Sequence, residues 1–154
     1  MAGWTNKGKA KMLGHALNPG VAAYTPPGAW YCILTNTLPT VDTNIVSDVG
    51  ELVTANGYTR GGNTVALGAF TMDEDDSADI GGATAPNQTF TASGGDIGPV
   101  HYMCLTSDLD DAGAAATGAS QNRVIYAWWD IGAIAGITNG QSLVVNAPEL
   151  RLTE

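Results

Sequence analysis

The alternation of apolar and polar residues along the chain predicts short β-strands joined by turns. The segments that have strand length and are rich in β-branched and aromatic residues are AWYCILTN (29–36), NTVALGAFTM (63–72), QTFTA (88–92), PVHYMCLTS (99–107) and RVIYAWWDIG (123–132). Turn signals such as Asn56-Gly57 and Gly61-Gly62 separate them. Seven or eight strands without βαβ alternation predict an all-β chain, a single β-sandwich domain of the jelly-roll type over residues 1–154.

The last strand is predicted to continue to the end of the chain. In the closing segment ITNGQSLVVNAPELRLTE, Leu150 and Leu152 alternate with Glu149 and Arg151. Because alternate residues of a strand point to opposite faces, we expect both leucines in the core and Arg151 at the surface. Pro148 indicates a bulge or an edge position there.

Residues 1–20 are predicted to form a short N-terminal helix or arm. The segment TNKGKAKMLGHAL predicts a helix from residue 5 to about residue 17, with Thr5 or Asn6 as its N-cap. Gly8 and Gly14 weaken this helix. Three apolar residues share one of its faces: Met12, Ala16 and Leu17. Residues 44–53 predict one or two further helical turns.

Three predicted strands are apolar on both faces. They contain AWYCIL, VHYMCL and RVIYAWWD, whereas a strand of a lone two-sheet sandwich buries one face and exposes the other. The N-terminal helix or another subunit must therefore cover the second face, and the sequence does not separate these two possibilities. The candidate subunit-interface residues are Trp30, Tyr102, Tyr126, Trp128 and Trp129.

Composition and charge limit the classes of partner. The 154 residues are 44% hydrophobic and 14% charged, and the net charge of −9 argues against nucleic acid or an anionic membrane as partner. No secretory signal or membrane-spanning run of about 20 apolar residues is recognisable. We therefore expect a soluble protein that folds in a reducing cytosol. Cys32 and Cys104 are expected to be free buried thiols, or a disulfide if their strands are neighbours.

No motif predicts catalysis, so we expect no enzyme, no catalytic residue, no cofactor and no metal site. The acidic residues 73–79 could bind calcium, but a solvated loop is favoured because the ligand order of an EF-hand is missing. His15 and His101 lack the spacing of a metal pair. Lys7, Lys9 and Lys11 are either solvated or form an arm that docks onto an acidic surface.

An ordered set of motifs covers nearly the whole chain. The set consists of MAGWTNKGK, LTN before PTVDTNIVSDVGEL, NGYTRGG, FTASGGDIGPVHYMCL, VIYAWWDIG and NGQSLVVNAPELRLTE. In this order the motifs resemble a family of small virion structural proteins of tailed bacteriophages and prophages. Residues 71–87 and 111–121 contain no matching motif.

The resemblance implies a non-enzymatic particle component, most simply a head decoration (cement) protein. Such a protein would be a homotrimer on the outer surface of the head, assembled in the bacterial host cytoplasm. It would stabilise the head by bridging subunits of the major capsid protein, with Trp4, Lys7, Lys9 and Lys11 as candidate capsid contacts. The alternative is a tail- or fibre-associated virion protein, or a carbohydrate-contacting module that uses tryptophans as platforms.

Overall fold

A computed structural model describes residues 2–75, 80–116 and 120–152. For Glu74, Asp75, Ile80 and Leu152 the description is limited to the backbone. The described chain consists mostly of β-strands, with one α-helix and several antiparallel sheets. The prediction of a chain dominated by short strands is therefore confirmed.

One helix and ten strands make up the described part of the chain. They are β1 (Ala2–Trp4), α1 (Asn6–Leu17), β2 (Trp30–Thr35), β3 (Asn63–Val65), β4 (Thr71–Asp75), β5 (Ile80–Thr84), β6 (Gln88–Thr91), β7 (Val100–Asp110), β8 (Arg123–Ile134), β9 (Ser142–Val145) and β10 (Glu149–Leu152). Single 3₁₀ turns lie at Ala22–Tyr24 and Val46–Asp48. No helix in these stretches has the length and hydrophobicity needed to cross a membrane.

The strands are distributed over three antiparallel sheets. The largest has the order β1-β8-β7-β2-β3, the second has the order β10-β5-β4, and β6 pairs with β9. The central pair β7–β8 is long, and its register shifts between Leu105 and Thr106, opposite Ala127 and Ile125. A shift of this kind bends a strand pair and increases its twist.

The main core lies between the large sheet and the two smaller sheets. Leu34, Met103 and Ala127 of the large sheet are buried in one cluster with Phe90 and Leu150 of the smaller sheets. Residues of all three sheets therefore contribute to one core. It also encloses Tyr58, whose hydroxyl donates a hydrogen bond to the buried carboxylate of Glu51.

On the second face of the large sheet, a buried cluster is covered by the loop that contains the 3₁₀ turn Val46–Asp48. Ile33, Cys104 and Ile125 pack against Val46 and Val49, which lie in and after the 3₁₀ turn. The sequence indicated the N-terminal helix or another subunit as the cover, and for this cluster that expectation is wrong. The predicted helical turn in residues 44–53 exists, and its function is to close this face.

The strand prediction over residues 63–72 is corrected by the structure. The segment forms β3 and the first residues of β4, with a turn between them in which Gly68 adopts φ +76°. Because this left-handed conformation suits glycine, the chain can leave the sheet there. Val65 is buried, whereas Leu67 is exposed. The strands β1 and β5 were not predicted.

The C-terminal strand and the N-terminal helix are confirmed within the described residues. Leu150 is 2% exposed and Arg151 is exposed, as the alternation predicted, while the side chain of Leu152 lies outside the description. Thr5 is the N-cap of α1: its hydroxyl accepts from the backbone N–H of Gly8 at 2.8 Å. The same hydroxyl donates to the carbonyl of Ile125 at 2.6 Å, which fixes the start of the helix on β8.

Candidate interaction surface

The face of α1 that packs against the protein consists of Gly8, Lys11 and Gly14. A side chain at Gly8 would overlap the backbone of Tyr126, and a side chain at Gly14 would overlap the ring of Tyr24. The two glycines therefore allow α1 to approach β8 closely, and also the 3₁₀ turn Ala22–Tyr24 that follows α1 in the chain. The face that the sequence analysis assigned to Met12, Ala16 and Leu17 is exposed and is not the face that packs on β8.

Lys11 is 4% exposed although it is charged. Its ammonium donates to the backbone carbonyls of Ala23 and Asp111 and lies 5.6 Å from the centre of the Tyr24 ring. The Asp111 carboxylate is 3.2 Å from Nζ of Lys11 and 2.7 Å from Nζ of Lys7. The hydrogen bond from Lys7, supported by Lys11, holds the pKa of Asp111 below its ordinary value. Two of the three lysines thus attach α1 to the loop that follows β7.

The opposite face of α1 is apolar and exposed. Leu13 is 62% exposed and Leu17 is 74% exposed, and Met12 and Lys9 are exposed beside them. We call Lys9, Met12, Leu13 and Leu17 the α1 ridge. The ridge arises because the glycine and lysine face is the one that fits the sheet, so the larger apolar residues remain in solvent.

An apolar groove adjoins the ridge and lies between the large sheet and the three-stranded sheet. Its volume is about 170 Å³, and its walls include Trp4, Met12, Trp30, Phe70, Met72 and Leu150. We call this cleft the apolar groove. Met72 is 67% exposed at its rim.

Sheet register positions one wall of the apolar groove. Met72 of β4 lies opposite Ala83 of β5, and Ala83 lies opposite Leu150 of β10, so the three residues form one row across the sheet. On the other wall, the Trp30 ring packs edge-to-face against Phe70 at 6.4 Å and against Tyr126 at 4.8 Å. These ring contacts pack Trp30 against both of its aromatic neighbours.

A buried ion pair lies on the other side of the core. The side chains of Glu51 and Arg123 are both 0% exposed, and their closest charged atoms, Oε2 and Nη2, are 3.7 Å apart. Glu51 also accepts from the Tyr58 hydroxyl, the Gly61 N–H and the Gln121 amide. Burial lowers the pKa of Arg123, and the Glu51 carboxylate opposes this effect. Burial also raises the pKa of Tyr58. The pair joins the turn at Gly61 to the start of β8.

The candidate capsid contacts have four different environments. Trp4 is partly buried in the wall of the apolar groove, and its indole N–H donates to the carbonyl of Arg151 at 3.2 Å. Lys9 is exposed on the α1 ridge. Lys7 is paired with Asp111, and the burial of Lys11 means that the structure does not support it as a surface contact.

Most of the candidate subunit-interface residues are buried within the chain itself. Tyr102 and Trp129 are 6% exposed and Tyr126 is 1% exposed, so the chain's own interior already surrounds them. Trp30 and Trp128 are partly exposed. The Trp128 ring lies over Gly3 of the neighbouring strand β1, whereas Trp30 lines the apolar groove. Of the five residues, Trp30 therefore has a partly exposed side chain that lies in the apolar groove.

The two cysteines lie on neighbouring strands but face opposite sides of the sheet. Cys32 is opposite Leu105, whereas Cys104 is opposite Ile33. Adjacent residues of a strand point to opposite faces, so a disulfide cannot form, and both thiols are free. Burial raises the pKa of Cys32 to about 12 and also raises the pKa of Cys104. Both thiols are therefore unreactive core residues.

The histidines and carboxylates do not assemble into a metal site in the described ranges. His15 has Nδ1 at 2.8 Å from the Tyr24 carbonyl and Nε2 at 3.2 Å from the Tyr126 hydroxyl. His101 lies 3.2 Å from the Asp130 carboxylate and stacks on the Tyr102 ring, so the two histidines have different partners. Of the acidic segment 73–79, residues 76–79 lie outside the described residues.

The sequence prediction missed the α1 ridge and the buried pair of Glu51 and Arg123. A signal for the ridge was present, because Gly8, Lys11 and Gly14 recur every three residues and mark a face of close approach. The position of Arg123 at the start of a strand that is apolar on both faces also pointed to a buried charge. Its partner is 72 positions away in the sequence, and no spacing rule connects them.

Comparisons with known proteins found no match for this chain. No protein-family model, no curated protein and no solved structure matches the chain. The surface itself offers exposed apolar side chains beside Lys9 and the apolar groove. Surfaces of this composition suit packing against another protein.

Proposed function

We propose that the chain is a non-enzymatic structural protein of a tailed-phage particle: a capsid decoration protein on the outer surface of the head that bridges major capsid subunits. The observation that carries the proposal is the α1 ridge together with the apolar groove. Exposed leucines and methionines beside a preformed cleft are typical of protein–protein contact sites. The ordered motifs, which resemble phage virion proteins, favour a particle as the assembly concerned.

The interior supports a structural role. The large sheet is buried on both faces, and the ion pair of Glu51 and Arg123 connects loops that are distant in sequence. Each member of this buried pair is hydrogen-bonded to other groups of the surrounding loops, which favours one arrangement of those loops, as a lattice component with fixed contacts requires. We further propose that the three antiparallel sheets form one β-sandwich of the jelly-roll type and that the protein acts as a homotrimer.

Add-back of the purified protein to phage heads that lack it tests this function. Heads assembled without the protein are expected to release their DNA at a lower temperature, and the added protein should restore the higher temperature. An unrelated acidic protein of similar size serves as the control. Heads that neither bind the protein nor gain heat resistance would contradict the proposal.

A second candidate function is a carbohydrate-contacting module on the tail or fibre. The observation that favours it is the position of Trp4 and Trp30, which are partly exposed and line the same groove as Phe70. Aromatic rings in a cleft can stack on sugar rings. Titration with surface oligosaccharides of the host should then quench tryptophan fluorescence to saturation, and a flat titration would exclude this candidate.

A further inference from the structure

We propose that Met12 and Met72 form a redox-sensitive pair at the apolar groove, where a peroxide converts both thioethers to sulfoxides while the protein stays folded. Both side chains line this groove, and they come from different elements, α1 and β4. Met72 is 67% exposed and Met12 is 42% exposed, so an oxidant in solution reaches both side chains without unfolding. This chemistry belongs to the surface itself and does not depend on the partner that the surface meets.

The other sulfur-containing residues in the described ranges are Cys32, Cys104 and Met103, and all three are buried in strands β2 and β7. Burial raises the pKa of both thiols, so at neutral pH neither forms the thiolate that oxidants attack. Met103 is shielded by the core around it. Within the part of the chain that the structure describes, sulfur oxidation of the folded protein is therefore directed to the two methionines of the groove.

The oxidation step transfers one oxygen atom and two electrons. The thioether sulfur attacks one oxygen of hydrogen peroxide and the O–O bond breaks. The second oxygen takes up the proton of the first and leaves as water. Sulfur is oxidised, the peroxide is reduced, and no other group of the protein takes part.

A sulfoxide at this place changes the surface and leaves the core intact. It is polar and accepts hydrogen bonds, whereas Trp30, Phe70 and Leu150 make the surrounding walls apolar. Met72 lies at the rim, in the row that Ala83 and Leu150 continue across the sheet. Its sulfoxide therefore remains in water while the wall loses an apolar side chain. Oxidation makes the groove polar without opening the layers behind it.

Peroxide treatment of the purified, folded chain followed by mass spectrometry tests the selectivity. Met12 and Met72 should each gain about 16 Da, the mass of one oxygen. Met12 lies in the tryptic peptide 12–60, and fragment ions distinguish the other two methionines in the peptide 61–123. Met103 is the internal control: it should react roughly tenfold more slowly or less in the folded chain, and as fast as the others in urea.

Hydrophobic-interaction chromatography measures the change of the surface. The oxidised wild type should elute earlier than the untreated chain, and the two methionine sulfoxide reductases, one for each sulfoxide epimer, should restore the original elution. The double variant Met12→Leu/Met72→Leu keeps apolar side chains of similar volume, so peroxide should leave its elution unchanged. The matched control Met103→Leu should respond to peroxide as the wild type does. Circular dichroism before and after treatment establishes that each protein is folded.

The outcomes separate this proposal from the decoration function. Equal oxidation rates of Met103 and Met72 in the folded chain would overturn the proposal, because the groove would then have no special accessibility. A peroxide-treated double variant that elutes as early as the treated wild type would also overturn it, since the change would then arise elsewhere. Heads that fail to bind the protein would contradict the decoration function and leave the oxidation results unaffected.

Discussion

Gly8 and Gly14 determine which face of α1 turns toward the sheet. Each lies where a side chain would overlap a neighbour, the Tyr126 backbone in one case and the Tyr24 ring in the other. Helix propensity alone disfavours both glycines by about 1 kcal/mol each relative to alanine. Close packing at these positions compensates for that loss, and as a result the apolar side of the helix remains exposed.

Gly8→Ala is therefore expected to destabilise the protein although alanine favours helix. The added methyl group meets a backbone carbonyl that cannot rotate away, and overpacking of this kind costs roughly 1–3 kcal/mol of unfolding free energy. Urea unfolding measures the change. Gly20→Ala is the control, because nothing lies within 4 Å of a methyl group there. Equal stability of Gly8→Ala and the wild type would mean that α1 does not pack closely on β8.

Asp111→Asn is expected to lower the melting temperature at neutral pH and to lose this effect in acid. The pKa of Asp111 is lower in the folded protein than in the unfolded chain, mainly because of the hydrogen bond from Lys7. The stability that it contributes is therefore fully present above the ordinary carboxyl pKa of about 4 and is lost as the pH falls through the folded value. Asp111 is largely exposed, so the effect is at most about 1 kcal/mol. Melting curves of wild type and variant that stay equally far apart from pH 7 to pH 2 would contradict this account.

Glu51→Gln is expected to cost roughly 3–5 kcal/mol of unfolding free energy, because it leaves the buried Arg123 without its counter-charge. Adding Arg123→Met should recover part of this loss, since no buried charge then remains. The control is Arg151→Met, which breaks an exposed pair with a shorter separation, 2.7 Å from Glu149. That change should cost about 1 kcal/mol or less. Similar losses at the two sites would show that burial is not what makes the first pair important.

At the level of elements, β10 is held in place by side chains of the large sheet as well as by β5. The indole N–H of Trp129 donates to the carbonyl of Glu149 at 2.7 Å, and the indole N–H of Trp4 donates to the carbonyl of Arg151 at 3.2 Å. These bonds satisfy backbone oxygens on the outer side of an edge strand, which would otherwise be free to pair with another chain. Leu150 then fills the space between the layers.

Leu150→Ala is expected to lower the unfolding free energy by about 2–5 kcal/mol, the usual range for a fully buried leucine. Denaturant unfolding followed by tryptophan fluorescence measures it. Val144→Ala on β9 is the control, since Val144 is 45% exposed and should lose well under half as much. An unchanged midpoint for Leu150→Ala would show that the last strand is only loosely attached.

The elements that local patterns describe well were predicted, and those that depend on distant partners were not. The alternation of apolar residues located β2, β6, β7, β8 and β10, and the capping chemistry of Thr5 located the start of α1. The positive φ of Gly68 interrupts an apolar run, so β3 and β4 could not be separated by periodicity alone. The inward face of α1 depends on a close approach to Tyr126, which is 118 residues from Gly8 in the sequence. A helix with so few large residues on its packed side does not follow the usual amphipathic pattern.

The molecule as a whole divides into a basic, partly apolar N-terminal region and an acidic remainder. Lys7 and Lys11 turn inward to Asp111, while Lys9, Leu13 and Leu17 point outward. This division leaves one exposed face apolar and basic, and it leaves the acidic charge on the rest of the chain.

Immunogold labelling of purified virions tests the central claim most directly. Under the proposed function the chain belongs to a tailed phage, so antibodies against the purified chain are applied to intact particles of that phage and examined by electron microscopy. The decoration function predicts gold particles distributed over the outer surface of the heads. Gold confined to tails or fibres, or particles that remain unlabelled although the protein is present in the infected cell, would contradict it.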